Sequence, residues 1–184
     1  GYAEMLKHGL ISNTAHWVEL LNFNTSNIDY TALKQLVGQS VQVKENIVEQ
    51  DPFEHGIRKA LNLGHTVGHA FESMALAEER PVLHGYAVAW GIVCELYLSH
   101  LKVDFPKEKM RQTIQFIKDN YGVFTFDCKK YDQLYAFMTH DKKNTSGTIN
   151  FTLLKDIGDI CINQTADKDI IFEMLDFYRE CMGI

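Results

Sequence analysis

Residues 58–70 read Arg-Lys-Ala-Leu-Asn-Leu-Gly-His-Thr-Val-Gly-His-Ala, the densest run of polar functional groups in the chain. His65 and His69 are four apart, so on a helix they share a face, and two imidazoles so placed can reach one metal ion or one ligand. Arg58 and Asn62 extend the stripe backwards at spacings of four and three, where a core-facing stripe would be apolar. An HxxxH pair alone is a loose motif. Gly64 and Gly68 strengthen it, because each precedes a histidine and removes a side chain where a ligand or second helix must approach. His84, followed by Gly85, opens the next apolar segment, from which it could swing back over the first pair.

A catalytic zinc takes nitrogen and carboxylate ligands and keeps one position open for water or substrate, so two or three histidines and one carboxylate would suffice. Glu4 is the natural carboxylate candidate, since Glu4, Lys7 and His8 share a face of an otherwise apolar segment. Taken alone, Glu4 reads better as one member of a surface charge pair, and spacing alone would pair His65 with His69.

The elements that must position these residues are mostly helical. Apolar spacings of three and four predict helices over 2–10 and 15–23, a long helix over about 27–50 starting at Asn27 or Asp29, and another from 53 to 76 after Pro52. Along the long helix, Leu33, Leu36, Val37, Ser40, Val41, Lys44, Ile47 and Val48 fall on one side. Each interior glycine costs about 1 kcal/mol against alanine, so Gly64 and Gly68 within 53–76 need a packing or ligand-approach reason. The near-uniformly apolar stretch 82–101 reads as a central helix, 104–120 as a helix with Pro106 in its first turn and Gly122 past its end, 131–139 as a short helix and 167–181 as a terminal one. Alternation occurs only over 148–154 and 159–163, around a turn at 156–158, which predicts one small β-hairpin. The expectation is a mainly α, multi-helix bundle domain spanning 1–184, with that hairpin near the C-terminus.

Composition narrows the class. With 24 acidic against 18 basic residues and no Lys/Arg stripe, nucleic acid is an unexpected partner. No apolar run approaches the roughly 20 residues a membrane span needs, and no cleavable leader is visible, so a cytoplasmic protein is expected. Cys94, Cys128, Cys161 and Cys181 show no CxxC spacing and are expected as buried free thiols. The chain opens on Gly1 and runs straight into a helix, as a domain of a longer protein would.

Three blocks in order resemble successive signatures of the dehydroquinate synthases: Gly1-Tyr2-Ala3-Glu4-Met5-Leu6-Lys7-His8-Gly9, Asn62-Leu63-Gly64-His65-Thr66-Val67-Gly68-His69-Ala70-Phe71-Glu72, and His84-Gly85-Tyr86-Ala87-Val88-Ala89. A fourth, Asp141-Lys142-Lys143-Asn144, followed by the strand at 149–154, extends the likeness over nearly the whole chain, with the C-terminal domain of that family as its counterpart. His8 stands where the family more often has Tyr, and Tyr86 where an acidic residue is common.

The resemblance implies a lyase of the shikimate pathway that converts 3-deoxy-D-arabino-heptulosonate 7-phosphate to 3-dehydroquinate and phosphate, using Zn2+ or Co2+ and, transiently, NAD. It implies Glu4, His65 and His84 as metal ligands, with His69 facing the substrate as proton relay and Lys7 beside it as a second catalytic group. Lys7, Lys44, Arg58, Asn62, His69 and Lys142 would line the substrate pocket, Lys44 and Arg58 toward a carboxylate, Asn62 and Lys142 (or Lys143) toward the phosphate. Several cations suit a small ligand bearing both groups, Arg as a bidentate fork and Lys as a movable charge. No strand, glycine-rich turn and helix occur in series, so NAD is expected mainly on an N-terminal domain outside this chain, in a homodimer. Related cyclases forming aminocyclitol precursors share the scaffold, though Arg58 with Asn62 favours the dehydroquinate branch. A metal-dependent polyol dehydrogenase would have less need of the cations, and a non-catalytic helical module would bind no metal.

Overall fold

The computed structural model describes residues 1–141 and 147–184. Three of its helices begin where the sequence supplies a side-chain cap. Asn13 accepts the His16 N–H at the start of α2 (Thr14–Asn22), just after α1 (Tyr2–Ser12), and Asp29 accepts from Thr31 and Ala32 to open α3 (Tyr30–Gln50). Next come α4 (His65–Ala77), α5 (His84–Val103), α6 (Lys107–Tyr121) and α7 (Tyr131–Thr139). The hairpin β1 (Asn150–Asp156) and β2 (Asp159–Thr165) precedes α8 (Lys168–Met182), which Asp167 caps through Ile170 N–H. Among the described residues, then, the fold is eight helices and a single antiparallel hairpin, as the periodicity predicts.

The expected continuous helix over 53–76 does not form. The Asp51 carboxylate accepts the backbone N–H groups of His55, Gly56 and Arg58, folding the chain into a loop instead of a first turn. A short 3-10 segment, Ile57–Asn62, follows, and Gly64 at φ 79° separates it from α4. Arg58 and Asn62 are therefore not on the helix that carries His65 and His69. Boundaries shift elsewhere for similar reasons: α5 starts at His84 rather than 82, and Pro106 is the cap of α6 rather than a residue of its first turn.

The core runs through α5, whose residues 87–96 are all buried, and through α1, buried from Met5 to Ile11. On α3 only Leu36, Ser40 and Ile47 are buried, while Val37 and Val41 turn outward. The apolar stripe there is thus narrower than periodicity suggests. Of the cysteines, only Cys94 is fully buried. Cys161 and Cys181 are half-buried, and Cys128 is exposed, carried on a surface 3-10 turn (Cys128–Lys130) capped by Asp127. No helix among the described residues is long and apolar enough to cross a membrane.

Two features set the distance between α4 and α5. A Cβ on Gly91 would lie 2.0 Å from the Gly64 carbonyl oxygen, and one on Gly64 would lie 2.7 Å from Ile92 Cγ1. Only bare backbone at both positions lets the helices cross this closely. The hairpin closes the far side. In the register Leu153 pairs with Cys161 and Asp156 with Asp159, Leu154 N–H donates to Ser99 Oγ of α5, and Gly158 N–H donates to the Leu10 carbonyl of α1.

Candidate metal and substrate site

Glu4, His65 and His84 come from three helices, and each offers a ligand atom within 4.8 Å of the other two. Glu4 lies in the first turn of α1, His65 is the first residue of α4 and His84 the first of α5. Helix starts bring them together because α1 and α4 both pack on α5 near its N-terminal end. Glu4 Oε1 is 3.2 Å from His65 Nε2 and 3.4 Å from His84 Nε2.

The opposite ring nitrogens already have partners. His65 Nδ1 lies 3.1 Å from the Leu63 carbonyl oxygen, and His84 Nδ1 3.1 Å from Glu72 Oε1. Neither oxygen can donate, so in each ring Nδ1 is placed as the donor, and the neutral tautomer that follows would offer its Nε2 lone pair to a cation. Burial lowers the His65 pKa, an effect the Glu4 hydrogen bond partly opposes and Lys7 reinforces, so that ring is neutral at neutral pH. Burial would raise the Glu4 pKa, but hydrogen bonds and charge from His65 and Lys7 outweigh it and hold the carboxyl well below the usual range. Two imidazole nitrogens and a carboxylate oxygen thus converge on one point, a set of donor atoms that a single cation could share. Glu72 and the Leu63 carbonyl fix the ring orientations as outer partners of metal-bound histidines do. The donor set, two nitrogens and one carboxylate with the outer side of His84 half-exposed, fits a zinc-type site with an open position.

His69 stands beside this cluster. Its ring centre is 5.4 Å from that of His65 and 6.0 Å from that of His84, and its Nδ1 lies 3.0 Å from Asp141 Oδ2. With that hydrogen given to Asp141, Nε2 is left as a proton acceptor. His69, Glu72 and His84 also form a second set of potential ligands, so the pairing of His65 with His69 suggested by spacing is replaced by two sets that share His84.

Lys7 is almost fully buried, bonded to the second carboxylate oxygen of Glu4 and, at 2.8 Å, to the Leu61 carbonyl. That bond ties α1 to the 3-10 segment bearing Arg58 and Asn62. The Arg58 guanidinium donates to the Pro52 carbonyl, and Asn62 Nδ2 donates to Glu54 Oε1 at 2.8 Å. Asn62 and Glu54 line a small cavity with Lys59, Thr66, Thr152 and Asn163. Lys44 is exposed on α3, its charge felt at His8. Lys142 and Lys143 lie outside the described residues. Sequence reasoning gave no role to Glu72 and Asp141, although both stand inside the quoted blocks, Glu72 at the spacing of three from His69 that a shared helix face requires.

His8 does structural work behind the site. It is buried, its Nδ1 is 2.5 Å from Ser40 Oγ of α3, and burial, with help from Lys7, pushes its pKa down to about 4 from 6.5. The unfolded chain takes up this proton near pH 6.5 and the folded chain refuses it until near pH 4, so stability falls with pH across that window and levels below it. Between pH 7 and pH 5 the loss from His8 should be about 2 kcal/mol. Urea unfolding at the two pH values checks this, and His8→Gln should remove that part of the pH dependence. An unchanged difference in the variant would show that His8 is not the group responsible.

Solved structures share the fold. The solved 2-epi-5-epi-valiolone synthase from Streptomyces hygroscopicus subsp. jinggangensis, with NAD+ and Zn2+ bound, shares the fold at a TM-score of 0.78 over 97% of this chain and 50% of its own, at 19% identity. A 2-deoxy-scyllo-inosose synthase complexed with carbaglucose-6-phosphate, NAD+ and Co2+ matches at 0.75 over 97% and 49%, at 21% identity. The helical fold with its hairpin is therefore also found in these two enzymes, over about half the length of each. The family model for the 3-dehydroquinate synthase C-terminal domain matches residues 1–144, and the chain belongs to that family. The 3-dehydroquinate synthase of Parabacteroides distasonis is 59% identical over all 184 residues, and that of Leptospira interrogans 43% identical over 93% of the chain. The chain spans 52% and 47% of the lengths of these relatives.

Proposed function

We propose that the chain is the metal- and substrate-binding half of a 3-dehydroquinate synthase, which converts 3-deoxy-D-arabino-heptulosonate 7-phosphate to 3-dehydroquinate and phosphate. One observation carries the reading: the Glu4, His65 and His84 donor atoms converge within 4.8 Å of one another, with the Lys7 cation at their back. Identity favours this reaction over those of the other cyclases, 59% to a dehydroquinate synthase against 19–21% to the solved structures.

A zinc or cobalt ion held by Glu4, His65 and His84 would supply Lewis acidity toward a hydroxyl or carbonyl oxygen, and NAD, carried mainly by an N-terminal domain, a hydride acceptor. The chain's own groups do the rest. His69 holds or moves a proton at Nε2, with Asp141 orienting the ring and stabilising its charged form. Lys7, fixed by two acceptors, is the cation at the reacting end of the pocket. Arg58 and Lys44 receive the substrate carboxylate, and Asn62 with Lys142 or Lys143 the phosphate. Arg58 and Asn62 must exchange their Pro52 and Glu54 partners for substrate, which local rotation of their side chains allows. By the same reading the complete enzyme is a cytoplasmic homodimer of the shikimate pathway.

The test is turnover. Protein of natural length, given the heptulosonate phosphate, NAD and zinc, should release phosphate and form 3-dehydroquinate, and the 184-residue chain alone should do neither. Turnover by the chain alone would overturn the division of labour. A natural-length protein inert toward this substrate would overturn the reaction.

A further inference from the structure

Among the described residues Glu95 is the one fully buried carboxylic acid, and it lies in the middle of the most apolar helix. Removing a carboxylate from water is expensive unless well-placed hydrogen bonds offset it. Its partners are specific. Oε2 accepts the Gly64 N–H at 2.6 Å and Oε1 the Val67 N–H at 3.1 Å, so both oxygens are spent on the first turn of α4. These are the donors that a helix N-terminus leaves unsatisfied, at the end where a negative group is favoured.

A local cap cannot do this. Position 64 sits at φ 79°, and a side chain there would meet Ile92 Cγ1 at 2.7 Å and the Val88 carbonyl at 2.9 Å. Serine or aspartate, the usual capping residues, have no room, so the cap reaches in from α5. His65 is the next residue, and its ring is held through Leu63, on the other side of Gly64. The backbone that aims His65 is thus clamped by a side chain of the helix whose first residue is His84. Eleven positions separate His84 from Glu95 on that helix, a fixed rise of about 16 Å.

We propose that Glu95 is a positioning residue of the metal site: by capping α4 from α5 it sets where His65 presents Nε2 relative to His84. The assignment rests on the metal-site reading above. The experiment compares natural-length protein with Glu95→Gln and Glu95→Asp for Co2+ affinity, the visible ligand-field spectrum of bound Co2+, and thermal unfolding of the metal-free form. Ser99→Ala serves as control, removing a buried hydroxyl bonded to the Glu95 carbonyl and to Leu154 N–H, one turn along α5.

In Glu95→Gln an amide N–H would face a backbone N–H. Cobalt affinity should fall about 10- to 100-fold, the usual cost of losing an outer partner of a ligand, with an altered spectrum at temperatures where the protein is fully folded. Glu95→Asp, one methylene short, should do the same and carries the test if the glutamine variant does not fold. Ser99→Ala should lower the unfolding temperature and leave the spectrum unchanged. Glu95 variants with wild-type cobalt affinity and spectrum but a lower unfolding temperature would overturn the assignment and make Glu95 a structural cap only. Wild-type protein that takes up no cobalt would overturn the metal-site reading itself, and the Glu95 assignment with it.

Discussion

Glu4→Gln, His65→Ala and His84→Ala should each weaken metal binding by the natural-length protein more than about 100-fold, beyond the 10- to 100-fold expected for losing an outer partner, while His69→Ala retains the metal. The difference follows from geometry. Glu4 Oε1 faces the Nε2 atoms of His65 and His84 at 3.2 and 3.4 Å, whereas His69 has its Nδ1 committed to Asp141. Metal content after a mild chelator wash, read by elemental analysis, decides it. Loss of metal from His69→Ala but not from His84→Ala would restore the simpler pair on one face of α4. Retention in Glu4→Gln would move the ion to the neighbouring set of His69, Glu72 and His84.

His69→Ala should carry the second large effect, a fall in kcat of about 10²- to 10⁴-fold, the usual contribution of a positioned acid or base. Metal content should be unchanged, which separates this loss from that of the ligand variants. Asp141→Asn should give a smaller fall in kcat, because the ring stays in place while its charged form loses a carboxylate partner. Steady-state kinetics with the heptulosonate phosphate supply the measurement, and full activity in His69→Ala would remove it from proton transfer.

How much of this could be read from residue order depends on the range of the interaction. The start of α3 near Asp29, the terminal helix, the hairpin and the apolar α5 are set by neighbours a few residues apart, and local spacing revealed them. The break before α4 was hidden, because 53–76 keeps a helix-like pattern while a left-handed glycine and three N–H bonds to Asp51 bend the chain. The roles of Asp141 and Glu95 were equally hidden, since their partners lie 72, 31 and 28 residues away. A lone acid in an apolar helix was the visible trace of Glu95. Glu4 was the reverse case: spacing argued for a surface pair, the family blocks for a ligand, and the fold sets it 3.2 Å from His65 Nε2.

The bond from Gly158 to the Leu10 carbonyl ties the last quarter of the chain to its first helix. Glu4 sits on that helix, so one wall of the site is secured by residues the ribosome adds long after the histidines. During synthesis α4 and α5 can pair as soon as they emerge, being close in sequence, but α1 must wait for the hairpin before it is latched. The tie between α1 and the hairpin therefore forms only after the histidines of the site have been made. A chain stopped at residue 144, where the family match ends, would hold all the proposed metal ligands and lack this one tie to the helix that carries Glu4.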